Sequence, residues 1–179
     1  MDGNTKAKAC TLLKRCQTFK QVYERCPLTR REAEVVYQTI FLPTITYPLP
    51  ATTLPESILD KAQSKTTPVI LSKMGYNKNM PKAIVYAPSS HGGLRLKHLH
   101  TKQGLQKALQ VLKHLRAQTA TGNLIVTTLQ AYQIQAGLEQ RILEDTRPLP
   151  WMNSCWISTL CHFLQSIQGT IHLEIPCNS

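Results

Sequence analysis

Apolar residues in this chain recur at helical spacing, in stretches that glycine and proline cut to length. After Thr101 the pattern is clearest. Leu105, Ala108, Leu109, Leu112 and Leu115 fall on one face, and Lys102, Lys107, Lys113 and Arg116 project from the others. Gly122 closes that helix. Upstream, Leu12, Cys16, Phe19 and Tyr23 share a face of a segment over about 5–26, which Pro27 ends. Thr29-Arg30-Arg31-Glu32 has the form of a capping box and predicts a helix with Ala33, Val36, Tyr37 and Ile40 inward. Pro43 must kink or end it, leaving 44–50 as a bend and an extended piece. Thr53-Leu54-Pro55-Glu56 opens another helix, which carries Ile58, Leu59, Ala62, Ile70, Leu71 and Met74, with Pro68 as a threatened kink and Gly75 as its stop. Residues 82–86 fit a short helix better than a strand.

Further on, 123–136 presents Leu124, Ile125, Thr128, Leu129 and Tyr132 up to Gly137. A polar linker with two prolines follows. The last helix, about 151–168, presents Trp156, Leu160, Phe163, Leu164 and Ile167, and Thr170–Ile175 is a candidate short strand. The expected class is mostly α, with five to six helices. The chain divides into a helical region over 5–138 and a linker with a C-terminal helix over 139–179.

The charges are segregated. Between Asp60 and Glu139 there is no Asp or Glu, yet that stretch holds eleven of the 21 Lys and Arg residues. The other ten are balanced by all ten acids, so the net charge of +11 resides in one segment. A solvated surface normally mixes signs, because unmixed charge repels itself. A stretch with no carboxylate suits a polyanionic partner, whose backbone phosphates Lys and Arg neutralise in a salt-dependent, sequence-tolerant way. Tyr76 and Tyr86, interleaved with Lys78 and Lys82, are open to two roles: stacking on bases or burial in the core.

Other chemistries find little support. No phosphate-binding loop and no dinucleotide fingerprint occurs, so Gly92-Gly93 reads as a tight turn. No spacing marks a nucleophile with its base, and the carboxylates are too scattered for two-metal phosphoryl transfer. His98 and His100 read as loop or interface groups. Cys155, Cys161, His162, His172 and Cys177 match no common zinc spacing. The six cysteines read as reduced thiols, mostly small buried apolar groups. Met1–Thr5 has no apolar core of a signal peptide, and the uncharged run from Val35 up to Glu56 carries too many prolines for a membrane span. These features predict an intracellular protein, cytoplasmic or nuclear, with no membrane partner.

Several runs resemble the region downstream of the catalytic palm in reverse transcriptases of non-LTR retrotransposons, which are RNA-directed DNA polymerases. They are the run Tyr37–Pro50, the run Leu71–Pro88, the turn His91-Gly-Gly-Leu-Arg-Leu96 with Arg95 where that family commonly has Gly, and the helix with Gln103-Gly104 and Leu112-Lys-His-Leu-Arg116. Trp156–Ile171 resembles the tail that often follows. Together they span about residues 8–175. The resemblance implies a thumb-like helical bundle that grips the backbone of a template–primer, RNA or an RNA–DNA duplex. It implies Mg2+ only for the palm, whose Tyr-x-Asp-Asp has no match here, so no cofactor is expected in this chain and polymerisation by it alone is not expected. On this reading Lys73, Lys78, Lys82, Arg95, Lys97, Lys102, Lys107, Lys113 and Arg116 contact phosphate. Gly92 and Gly93 shape the turn that places Arg95 and Lys97, and the missing palm is a further candidate partner. The rival expectation is a domesticated or decayed helical fragment that binds a protein and has no polymerase role.

Overall fold

Caps, prolines and left-handed glycines delimit the elements. The computed structural model describes residues 3–145, 147 and 149–172. Among them the chain is mostly helical and contains no strand. The first helix, α1 (Gly3–Arg25), stops ahead of Pro27. The second, α2 (Arg30–Val36), opens on the capping box: the Thr29 N–H donates to Glu32 Oε2 at 2.8 Å, and the Glu32 N–H donates to Thr29 Oγ1 at 3.4 Å. The Thr29 N–H and the Thr29 hydroxyl, both donating to Glu32 Oε2, hold the Glu32 carboxyl below the usual carboxylate range.

At Pro43 the structure departs from expectation. The helix passes through the proline by way of a π-helical turn, Tyr37–Phe41, into α3 (Leu42–Thr46). The Leu42 N–H reaches back five residues to the Tyr37 carbonyl. A turn widened ahead of the proline removes the need for the donor that the pyrrolidine ring lacks. Residues expected to bend and extend are therefore helical through Thr46, followed by a 3-10 turn, Leu49–Ala51. Pro68 likewise lies inside α4 (Glu56–Lys73) without ending it. Gly75 does end it, at φ +81°, and the Tyr76 N–H closes back on the Leu71 carbonyl at 2.8 Å. Then come α5 (Lys82–Tyr86), a 3-10 turn (Ser89–His91) and α6 (Leu99–Arg116). The last two helices are α7 (Ala120–Ala136) and α8 (Trp156–Ser166). The short α3 and α5, together with the division around the π-helical turn, give more helical segments than the five to six expected.

Two compact units result, Met1–Gln103 and Gly104–Ser179. The expected boundary at 138/139 follows linker composition. The observed division falls within α6, because Val111 shares a core with Leu129, Tyr132, Ile157, Leu160 and Phe163. In the first unit α1 packs on α4. Phe19 stacks on Tyr23 at 4.9 Å and meets Phe41 at 4.5 Å, and the Tyr23 hydroxyl donates to the Ala33 carbonyl at 2.8 Å. Cys16 is buried in that core, which pushes its thiol up to about 11.

In the second unit, Gly104 gives up its side-chain space to a ring: a Cβ there would sit 2.0 Å from Phe163 Cγ. Cys161 is buried there and pushed up to about 12 by that burial, while Cys155 caps α8 by accepting the Ser158 N–H at 3.4 Å. Thr170–His172 is not a strand. The remainder of that expected element lies outside the described residues, as does Cys177.

One buried amide joins α4 to the segment entering α6. Gln63 Nε2 donates to the Lys97 carbonyl at 3.0 Å and to the Tyr86 hydroxyl at 3.2 Å, and Gln63 Oε1 accepts the Leu99 N–H at 3.0 Å. Removing this side chain would leave a buried donor and a carbonyl without partners, each costing on the order of 1–3 kcal/mol. Gln63→Ala is expected to lower the unfolding free energy by about 2–3 kcal/mol in urea titration, while Gln17→Ala at an exposed position of α1 costs under about 1 kcal/mol.

Candidate nucleic-acid interface

The Gly92-Gly93 turn positions its neighbours by two separate devices. Gly92 adopts φ +74°, a left-handed conformation that glycine reaches at little cost. At Gly93 the backbone passes so close to α5 that a Cβ would lie 2.1 Å from the Ala87 carbonyl oxygen. The chain then runs back along α5, with N–H groups of Leu94, Arg95 and Leu96 donating to the carbonyls of Ile84, Ala87 and Val85 at 3.0, 3.0 and 3.1 Å. The Lys97 N–H donates to the Tyr37 hydroxyl at 2.9 Å. Burial pushes that phenol up to about 12, so it stays a neutral acceptor at physiological pH. Residues 94–97 are thus pinned from two sides, and the Arg95 and Lys97 side chains are exposed.

This segment forms one wall of a groove of about 900 Å3 in the first unit. Arg30 and Arg31 line it from the start of α2, and Gly75 and Tyr76 from the exit of α4. Four cations, Arg30, Arg31, Arg95 and Lys97, share it with one carboxylate, Glu34. Gly75 serves a second purpose here. A Cβ on it would meet Arg30 Nε at 2.4 Å, so the missing side chain leaves room for the Arg30 guanidinium to lie against the backbone. Arg95 itself sits at φ +54°, in the region that disfavours an L side chain. The strained position is thus one of the cationic residues that line the groove.

The other expected phosphate contacts scatter. Lys78 and Lys82 are exposed on the loop before α5 and on its first turn, and Lys102 is half-buried on the first turn of α6. Lys113 and Arg116 are exposed at the end of α6, in the second unit. Two lysines are engaged in the fold. Lys73 Nζ donates to the Cys26 carbonyl at 2.8 Å, satisfying the backbone just past α1. Lys107 is only 1% exposed: its ammonium donates to Thr159 Oγ1 and lies 5.5 Å from the centre of the Trp156 ring. Burial removes Lys107 from any surface phosphate contact, which corrects the expectation for that residue. It also lowers the ammonium to about 8.

Sequence reasoning missed Arg30 and Arg31, which lie outside the acid-free stretch. One signal was present. Two arginines in the first turn of a helix oppose its macrodipole, which favours anions at that end. Tyr86, open to two roles on sequence, is half-buried, bonded to Gln63 and set edge-on to His98 at 5.1 Å between ring centres. On the N-terminal side of the basic stretch, Asp60 lies 3.4 Å from His98 and Glu56 lies 3.7 Å from His100. Among the described residues no group of three or more His, Cys, Asp and Glu side chains could hold a metal ion.

Two outcomes follow from the strained and buried cations. Arg95→Gly relieves the left-handed backbone and should raise the unfolding free energy by up to about 1 kcal/mol, measured by urea denaturation. Lys107 has a folded pKa of about 8, below the value it takes when unfolded. Below pH 8 both states are protonated and the full burial penalty applies; between pH 8 and about 10 the unfolded chain holds the extra proton, so the folded state gains as pH rises. Lys107→Met should therefore be more stable than the parent by about 3 kcal/mol at pH 7, with the gap closing toward pH 10 in paired thermal melts.

No protein-family model, curated protein or solved structure matches this chain.

Proposed function

We propose that this chain is a nucleic-acid-binding module that holds the phosphodiester backbone, derived from the region downstream of the palm in a retroelement reverse transcriptase and not itself a polymerase. The observation that carries the reading is the groove between α2, the exit of α4 and the segment after Gly93, where four cations face one carboxylate. Arginine's planar fork matches phosphate oxygens bidentately, and three of the four cations are arginines. The acid-free stretch supplies further exposed cations, Lys78 and Lys82 in the same unit. Derivation from a reverse transcriptase rests on the ordered resemblance of the runs quoted above.

Fluorescence anisotropy with an RNA–DNA duplex over a salt series tests the reading. Engagement of the four groove cations predicts a slope of log K against log salt of at least about −3, at about −0.9 per phosphate neutralised. Exchanging Arg30 or Lys97 for Gln should weaken binding and make the slope shallower by about 1. Absent or salt-independent binding of both this duplex and a single strand of the same sequence would sink the proposal.

A second reading, a helical protein-interaction fragment, draws on a different surface. Val35, Ile40 and Tyr47 are 51%, 54% and 86% exposed along α2, the π-helical turn and the end of α3. Large apolar side chains gathered in one segment suit a protein partner, the missing palm included. Pull-down in the presence of excess nucleic acid separates the two: a partner retained under that competition supports the protein-binding reading.

A further inference from the structure

We infer that the basic groove of the first unit takes an unpaired strand, RNA or DNA, with phosphates on its cations and a base against Tyr76; this rests on the nucleic-acid reading above and specifies its substrate. Size points this way first. At about 900 Å3 the groove falls within the range of clefts that enclose small ligands, roughly 300–1,000 Å3. A duplex is a wide convex rod whose phosphates are met along an extended face, or whose grooves take an inserted helix or ribbon. A concave site of this volume instead surrounds one strand.

The lining supports the same ligand. Tyr76 is a groove residue, 44% exposed, at the tip of the turn that ends α4. Its backbone is fixed by the N–H bond to the Leu71 carbonyl, so the ring is presented from a rigid base. Aromatic stacking needs a base whose face is free, which a duplex keeps inside its own stack. Cations share the groove with that ring: Arg30 is seated against Gly75, the residue before Tyr76, and Arg95 and Lys97 come from the segment after Gly93. The backbone N–H groups of Arg95 and Lys97 are already bonded within the protein. Recognition is left to side chains, which gives charge and stacking without a base-edge code. Sequence-tolerant binding of a single strand is the result expected of that combination.

The test compares a fluorescein-labelled single strand of about 12 nucleotides, inside the roughly 4–16 nucleotides typical of single-strand sites, with its blunt RNA–DNA duplex. Both are titrated with the full chain and its Tyr76→Leu and Tyr76→Phe variants, after matching thermal melts confirm folding. The single strand should bind more tightly than the duplex. Tyr76→Leu should weaken the single strand about 5- to 100-fold and leave the duplex unchanged, while Tyr76→Phe keeps the affinity. Tight duplex binding that ignores Tyr76 would overturn this inference and leave the nucleic-acid reading intact. Failure of both probes to bind would overturn both. Displacement of the single strand by ATP at concentrations as low as those of unlabelled strand would make the groove a free-nucleotide site, and that too overturns the inference.

Discussion

A single buried amide decides where the basic groove can exist. Gln63 lies on α4, yet its three hydrogen bonds go to Tyr86 and to the backbone of Lys97 and Leu99, more than twenty residues away in sequence. A buried amide costs free energy unless its donors and acceptor are met, so the segment entering α6 is held to α4 wherever Gln63 is satisfied. Tyr37 clamps the same segment from the π-helical turn by accepting the Lys97 N–H. With both contacts in place, the backbone of Arg95 and Lys97 cannot move without exposing unpaired polar groups. The backbone of the groove wall is thereby fixed, and only the side chains of its cations remain to be ordered when a ligand arrives.

That rigidity bears on how charge is used. Opposed like charges in a confined space raise the energy of the free protein, and here Glu34 alone offsets four cations. Arg95 adds backbone strain, and Arg30 and Arg31 stand at the unfavourable end of α2. Each cost is tolerable because the surrounding contacts over-determine the geometry. Lys107 obeys the opposite logic. It gives up hydration for a threonine hydroxyl and an indole face, and its ammonium becomes easier to deprotonate. Within one acid-free stretch, then, lysine serves as an exposed charge, as a cap on a carbonyl and as a buried packing element.

Much of the fold was legible beforehand. Amphipathic spacing located α1, α4, α6, α7 and α8, and left-handed glycines at 75 and 137 marked real helix ends. The capping box at Thr29 appears with both of its hydrogen bonds. Pro43 misled because the rule for proline assumes a regular α-helix, and the π-helical turn supplies the slack that the rule omits. The candidate site was half legible. Arg95 and Lys97 followed from the glycine pair, whereas Arg30 and Arg31 lie some sixty residues away and join them only through packing. The boundary between units was hidden for a related reason: a continuous helix can belong to two cores, and periodicity along α6 does not report which side chains share which core.

By itself the sequence determined the helical class, most helix ends and the segregation of charge, because spacing, caps and composition act over a few residues. Only the tertiary structure decided which cations face a common space. Lys73 and Lys107 look like Lys97 in one dimension, but burial and a nearby carbonyl or ring set their state. Charge is a local property of a residue; a charged site is a property of how distant segments are brought together, and here hydrogen bonds from Gln63 and Tyr37 accomplish that.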